Sequence, residues 1–190
     1  MSEKQYLDAQ TLLEDSFKLA AMVHDSGYLP TFIVAVWRGG APMGIAVQEL
    51  FAHYGVETDH IAIRTAAYHG IDSSTDTVRV YSLNYLIKKI QHTDRLLIVD
   101  DVFDTGKSID AIIATIHRLA RRNAPSEIRV AVPYFKPTRN KSARVPDYYL
   151  HETEAWLKFP HSVEGLTPDE VRLNRPELHR ILQQANTSPD

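Results

Sequence analysis

Three acids and a turn of small residues crowd into one stretch, Val99-Asp100-Asp101-Val102-Phe103-Asp104-Thr105-Gly106-Lys107-Ser108. The apolar run Arg95-Leu96-Leu97-Ile98-Val99 leads into it and reads as a buried strand. Behind it, Ile109, Ile112, Ile113, Ile116 and Leu119 recur at the spacing of one helix face. A Thr-Gly-Lys-Ser turn at a helix start presents backbone N–H groups at the positive end of the helix, a cradle for phosphate. Asp100 and Asp101, just past a strand end, suit the hydroxyls of a sugar or a hydrated Mg²⁺. Asp104 stands where it could accept a proton. Together these point to a ribose 5-phosphate group as the ligand. The same acids also suit a solvated loop, and Asp104 or Thr105 equally suits a helix N-cap. Gly106-Lys107-Ser108 matches the end of a P-loop, but the first glycine of that motif would fall on Asp101, so the P-loop reading fails.

A second polyanion signal is Val36-Trp37-Arg38-Gly39-Gly40, which breaks the apolar run Thr31 to Trp37. Glycines let backbone approach a polyanion closely, and Arg38 offers charge-assisted hydrogen bonds. Arg-Gly-Gly alone fits a plain turn as well. Further along stand Lys136-Pro137, Pro146-Asp147-Tyr148-Tyr149 and Trp156-Leu157.

The string from Val99 to Ser108 resembles the phosphoribosyl-pyrophosphate (PRPP) motif of type I phosphoribosyltransferases. That resemblance implies that Asp100 and Asp101 bind the ribose hydroxyls and that Asp104, Thr105, Gly106, Lys107 and Ser108 hold the 5-phosphate. Trp37, Arg38, Gly39 and Gly40 resemble the family's pyrophosphate loop. The order Lys136…Trp156-Leu157 is similar to the 6-oxopurine branch, nearest the bacterial xanthine-guanine and hypoxanthine enzymes. There Lys136 would read the purine 6-oxo group, Trp156 would stack on the base, and Leu157 would offer its backbone. A lysine has donors only, so it favours an oxo acceptor over the amino group of adenine. Trp156 also fits a core or interface aromatic, and Lys136 an exposed strand end. Phe103 would cover the other face of the base or else belong to the core.

The resemblance covers roughly residues 30–160 and departs from the family in three places. Ala66-Ala67 precede Tyr68, the residue matching the family's flexible loop, so that loop's serine is missing. Ser162 stands where relatives carry an aspartate for a second Mg²⁺, leaving Glu164 as a substitute. Lys158 stands where relatives tend to carry an acid or a small residue, and bears on the choice among xanthine, guanine and hypoxanthine. Asp100 and Asp101 would hold the first Mg²⁺, directly or through water.

The elements that must position these residues alternate between strand and helix. The spacing predicts helices over 11–25 and 42–54, strands over 60–64, 128–132 and 147–150, and an exposed loop from Tyr68 to Val80. Thr167-Pro168-Asp169-Glu170 signals a capped helix, and a last helix covers about 176–184. The expected fold is α/β, the type I phosphoribosyltransferase fold: a mostly parallel twisted sheet flanked by helices, with a small hood and a flexible loop. One domain, 1–190, would comprise a core of about 30–135, a purine-binding hood of about 136–165 and C-terminal helices at about 167–186.

Composition mostly excludes. Without cysteine there is no disulfide, thiolate metal site or cysteine nucleophile. A formal charge of −3 argues against a general nucleic-acid binder, and Arg118, Arg121, Arg122 and Arg129 read as a solvated helix end rather than a regulator's DNA face. The nine histidines lack metalloprotease spacing. Met1-Ser2-Glu3-Lys4-Gln5 opens polar, no apolar run is long enough for a bilayer, and the expected setting is the cytoplasm. The expected reaction is purine salvage: PRPP and a 6-oxopurine give a nucleoside 5′-monophosphate and pyrophosphate, with Mg²⁺, in a homodimer or homotetramer without nucleic acid or membrane. Alternatives are a PRPP- or nucleotide-sensing regulator and a transferase for adenine or orotate.

Overall fold

The computed structural model describes residues 4–68 and 77–185. Strands β1 (Lys4–Tyr6), β2 (Phe32–Trp37), β3 (Asp59–Tyr68), β4 (Thr77–Tyr81), β5 (Arg95–Val99), β6 (Val102–Phe103), β7 (Glu127–Phe135), β8 (Tyr148–Glu152) and β9 (Trp156–Lys158) alternate with helices. The helices are α1 (Ala9–Asp25), α2 (Gly40–His53), α3 (Asn84–Lys89), α4 (Lys107–Ala120), α5 (Pro168–Asn174) and α6 (Pro176–Ala185). Two compact units result. One is Gln10–Glu154, and the other joins the chain up to Ala9 with the chain from Ala155 onward.

In the larger unit the apolar runs of β2 and β5 become interior strands, since a strand covered on both faces has no use for polar alternation. The sheet runs β4-β3-β2-β5-β7, with β6 and β8 both paired to β7. All these pairings are parallel except β3 with β4. Phe32, Val34 and Val36 join the cluster that holds α3 and α4. On the other face, Gly44 of α2 comes so near that a Cβ there would lie 2.5 Å from the Cβ of Ala35. α1 shares this face, with His24 tilted 4.4 Å from Tyr54 beyond the end of α2.

Tyr68 and residues 77–80 are not the loop expected from their polar composition. They pair, Tyr68 with Thr77 and Arg64 with Tyr81, as the arms of an antiparallel edge hairpin. An edge strand tolerates polar residues such as Arg79 because only part of it meets the core. The rest of the expected loop, residues 69–76, lies outside the described residues.

In the smaller unit β1 runs parallel to β9, Gln5 opposite Leu157. Arg175 fixes that pair from behind: Nη1 donates to the Leu7 carbonyl at 3.1 Å, and Nη2 to those of Lys158 and Phe159 at 3.0 and 3.1 Å. Thr167 caps α5 by accepting from the Glu170 N–H, while the Glu170 side chain accepts from the Thr167 N–H, the capping box expected from the sequence.

One buried acid joins α1 to β8. Asp15 is 2% exposed and lies 2.7 Å from Nε2 of His151 and 3.0 Å from Nζ of Lys18. Burial alone would push its carboxyl up, but the bonds from His151 and Lys18 outweigh it and hold it below its ordinary value. A carboxyl lowered on folding stabilises the fold above its unfolded value near pH 4, and that stability disappears as the pH falls through the folded value. Asp15→Asn is expected to cost about 1–3 kcal/mol at pH 7, with the gap to the unaltered chain shrinking towards pH 3. Thermal melts across that range check this, and an equal gap at pH 7 and pH 3 would refute it.

Candidate active site

β2 and β5 are parallel neighbours, Ala35 opposite Val99, so the chain leaves both strands at the same end of the sheet. Trp37–Gly40 departs from one and Asp100–Ser108 from the other. Where they meet, only glycine fits. A Cβ on Gly39 would stand 1.8 Å from Oδ2 of Asp101, and one on Gly40 would stand 2.5 Å from the Val99 carbonyl oxygen and 2.8 Å from the Asp100 Cα. Arg38, joined to Trp37 by a cis peptide, and the 53%-exposed Trp37 complete this loop.

The acid pair occupies a break in a strand. Val99 lies opposite Ala131 and Val102 opposite Tyr134, so β6 continues the line of β5 along β7 without a slip in register. Asp100 N–H still donates to the Ala131 carbonyl at 3.2 Å. The next bond of a parallel ladder would run from residue 133 to the Asp100 carbonyl, and Pro133 has no N–H to give. The ladder resumes where Lys136 N–H donates to the Phe103 carbonyl at 2.9 Å. The two carboxyls are thereby set side by side. Burial, and then the neighbouring charge of Asp101, pushes Asp100 well above the usual carboxylate range, and burial pushes Asp101 up as well.

The turn behind them is shaped by Gly106. It takes the left-handed conformation at φ +76° and precedes α4 with no side-chain cap, so neither Asp104 nor Thr105 is the N-cap. A Cβ on Gly106 would lie 2.6 Å from the Ser142 Cβ and 2.9 Å from the Phe103 ring. Phe103 itself is 1% exposed, packed edge-on to Phe135 at 5.8 Å between centroids. Of its two readings, a cover for the base or a core residue, Phe103 takes the second: its buried ring packs in the core and supports the turn.

The segment after β7 is stitched onto this turn. Lys141 N–H donates to the Thr105 carbonyl at 3.1 Å, and Ser142 Oγ to Asp110 Oδ1 at 2.7 Å. Arg139 brings Nε to 2.6 Å from Oδ1 of Asp104, an ion-pair contact without hydrogen-bond alignment, in which Oδ1 is fully buried. Sequence reasoning missed Arg139 and Ser142. The only signal was a further cation three residues past Lys136, and nothing in the sequence distinguished it from a solvated one. Lys136 follows β7 directly and is 5% exposed, not the exposed strand-end lysine its position also allowed.

The structure thus brings together Trp37–Gly40, Asp100–Ser108 and Lys136 within the larger unit. Trp156, Leu157 and Glu164 belong to the smaller one. There Trp156 is half-exposed and Leu157 pairs with Gln5. The Glu164 carbonyl accepts a bond from Lys158. Among the described residues no cluster of three or more His, Asp or Glu side chains is placed to hold a metal. The adjacent oxygens of Asp100 and Asp101 are the hard donors that suit Mg²⁺, which takes few protein ligands and keeps its waters. No described helix is long and apolar enough to cross a membrane.

Strand-end acids, a glycine-lined loop against them and an uncapped helix start thus meet at the end of the sheet where open α/β folds place ligands. The phosphoribosyl transferase domain model matches residues 2–170, and the chain belongs to that family of glycosyl-transferring enzymes. Among solved structures it is similar to a purine phosphoribosyltransferase of Pyrococcus horikoshii, with 25% identity and TM-score 0.65 over 87% of this chain and 97% of that one. The xanthine-guanine-hypoxanthine phosphoribosyltransferase of Helicobacter pylori shares 20% identity at TM-score 0.65, over 93% of this chain and 100% of that one. A hypoxanthine-guanine phosphoribosyltransferase of Bacillus anthracis shares 16% at TM-score 0.61, over 80% and 85%. No curated protein sequence matches this chain.

Gly39→Ala should force Asp101 aside while leaving the strands intact. We expect phosphoribosyl transfer to fall at least about 100-fold, the scale of misplacing a reactive group by about 1 Å, with an unchanged melting temperature. Full activity in this variant would contradict the packing described.

Proposed function

We propose that this chain transfers the 5-phosphoribosyl group of PRPP to a 6-oxopurine base, releasing pyrophosphate and forming a nucleoside 5′-monophosphate. The observation that carries this reading is the seating of Gly39 and Gly40 directly on Asp101 and Asp100, which joins a pyrophosphate-type loop to a ribose-type acid pair. The resemblance to purine enzymes at Lys136 and Trp156 supplies the choice of base, and the names of the solved relatives support it.

In this reading Asp100 and Asp101 accept the ribose hydroxyls, and the turn from Asp104 to Ser108 receives the 5-phosphate at the head of α4. Lys136 donates to the 6-oxo oxygen, Trp156 stacks on the base and Leu157 presents its backbone. Tyr68, at the end of β3, is the residue that matches the family's flexible loop. Mg²⁺ held by Asp100 and Asp101, directly or through water, would neutralise charge on the pyrophosphate, and Glu164 is the candidate for a second ion. Arg38 and the Gly39–Gly40 backbone stabilise the departing pyrophosphate as the ribose C1–oxygen bond breaks. The new bond forms between C1 and purine N9, and the proton leaves N7 for Asp104. Arg139 shares Asp104 in the structure, so the carboxylate must turn from that guanidinium towards N7 when the base is seated. The setting we propose is the cytoplasm and the assembly a homodimer or homotetramer, with no nucleic acid or membrane involved.

The test is nucleotide formation by the purified protein with PRPP, Mg²⁺ and each base in turn. Product from at least one of hypoxanthine, guanine and xanthine, and none from adenine or orotate, is expected. No product from any 6-oxopurine would overturn the reading. Asp104→Asn should lose on the order of 100-fold or more in turnover, as removal of a general base does, with PRPP affinity nearly unchanged. Full turnover in that variant would remove Asp104 from the chemistry.

A further inference from the structure

Lys158 is a lysine in the wrong place for solubility. It is 7% exposed, and lysines are almost never buried without a partner. Its Nζ reaches the Glu164 carbonyl oxygen at 3.4 Å, a long bond for a group with three donors. The same nitrogen stands 5.9 Å from the centroid of the Trp156 ring, two residues back on the same face of β9. A Cβ on Gly165, which takes φ +74°, would be 3.8 Å from it, so the turn closing this segment passes against the ammonium.

The backbone beneath is held on both sides. β1 pairs with β9 along one edge, and Arg175 grips the Lys158 and Phe159 carbonyls. A half-exposed indole and a buried ammonium are therefore fixed relative to each other, an aromatic platform with a donor-only cation at its rim.

We infer that Lys158 is the residue that selects among 6-oxopurines, favouring a base with a second oxo group at position 2 over one with a 2-amino group. This rests on the proposed stacking of the base on Trp156. The three candidate bases differ only at that position: hypoxanthine carries hydrogen, guanine an amino donor and xanthine an oxo acceptor. An ammonium has no lone pair to accept from an amino group, whereas it completes its bonding on an oxo oxygen. Setting the amino group against it would leave buried donors facing each other, a stronger penalty than a missing contact.

The experiment compares kcat/KM for xanthine, hypoxanthine and guanine in the unaltered chain, in Lys158→Met and in Lys158→Gln. We expect the unaltered chain to prefer xanthine over guanine. Lys158→Met should lower kcat/KM for xanthine relative to hypoxanthine on the order of 10- to 100-fold, the scale of one hydrogen bond to a charged group. Hypoxanthine turnover is the control for folding. An equal loss on all three bases, or a native preference for guanine, would overturn the inference while leaving the 6-oxopurine reading intact. No nucleotide from any 6-oxopurine with the unaltered chain would overturn both. Should neither variant fold, the order of the three bases in the unaltered chain still decides it.

Discussion

The constraint on which the rest depends is the contact of two glycines with two carboxylates across adjacent parallel strands. Gly39 leaves no room for a Cβ beside Asp101, and Gly40 none beside Val99 and Asp100. That closeness requires β2 and β5 to be neighbours and in register, which in turn requires crossover helices and apolar faces on both strands. It also requires β5 to pause where the acids stand. Pro133 supplies the pause by withholding one ladder hydrogen bond, and β6 then continues the same line. The fold therefore sets two carboxyls side by side, where burial raises both above their ordinary range. It does so at the end of the sheet where α/β proteins place ligands.

Four cations stand on the segments around the acid pair and the turn behind it. Arg38 lies on the loop against the acid pair, Lys107 begins α4, and Lys136 follows β7 with its backbone tied to Phe103. Arg139 adds a fourth, in contact with Asp104. The segment 136–142 carries Lys136, which we propose reads the base, and is tied to Thr105 and to the start of α4 through Lys141 and Ser142.

Much of this was legible in the residues because it is local. The apolar runs of β2 and β5, the helical period after Ser108 and the capping box at Thr167 each depend on neighbours within a turn or a strand. The string from Val99 to Ser108 was legible for a different reason: so many residue types in fixed order resemble one family. What escaped was non-local. The hairpin arm Thr77–Tyr81 reads as a loop because an edge strand needs little apolar content. Phe103 was open between base and core until Phe135 was seen to pack on it. Arg139 and Asp104 lie far apart in sequence, and the pairing of β1 with β9, which joins the chain's start to the segment past Ala155, leaves no mark in either strand.

The central claim is that the acid pair beneath Gly39 and Gly40 binds the sugar of PRPP. Calorimetric titration of PRPP with Mg²⁺ into the protein, without base, tests it most directly. The account predicts one PRPP per chain for the unaltered protein, and binding weakened on the order of 100-fold in the Asp100→Asn, Asp101→Asn double variant, as loss of two charge-assisted hydrogen bonds implies. Equal PRPP affinity in the two proteins would contradict it.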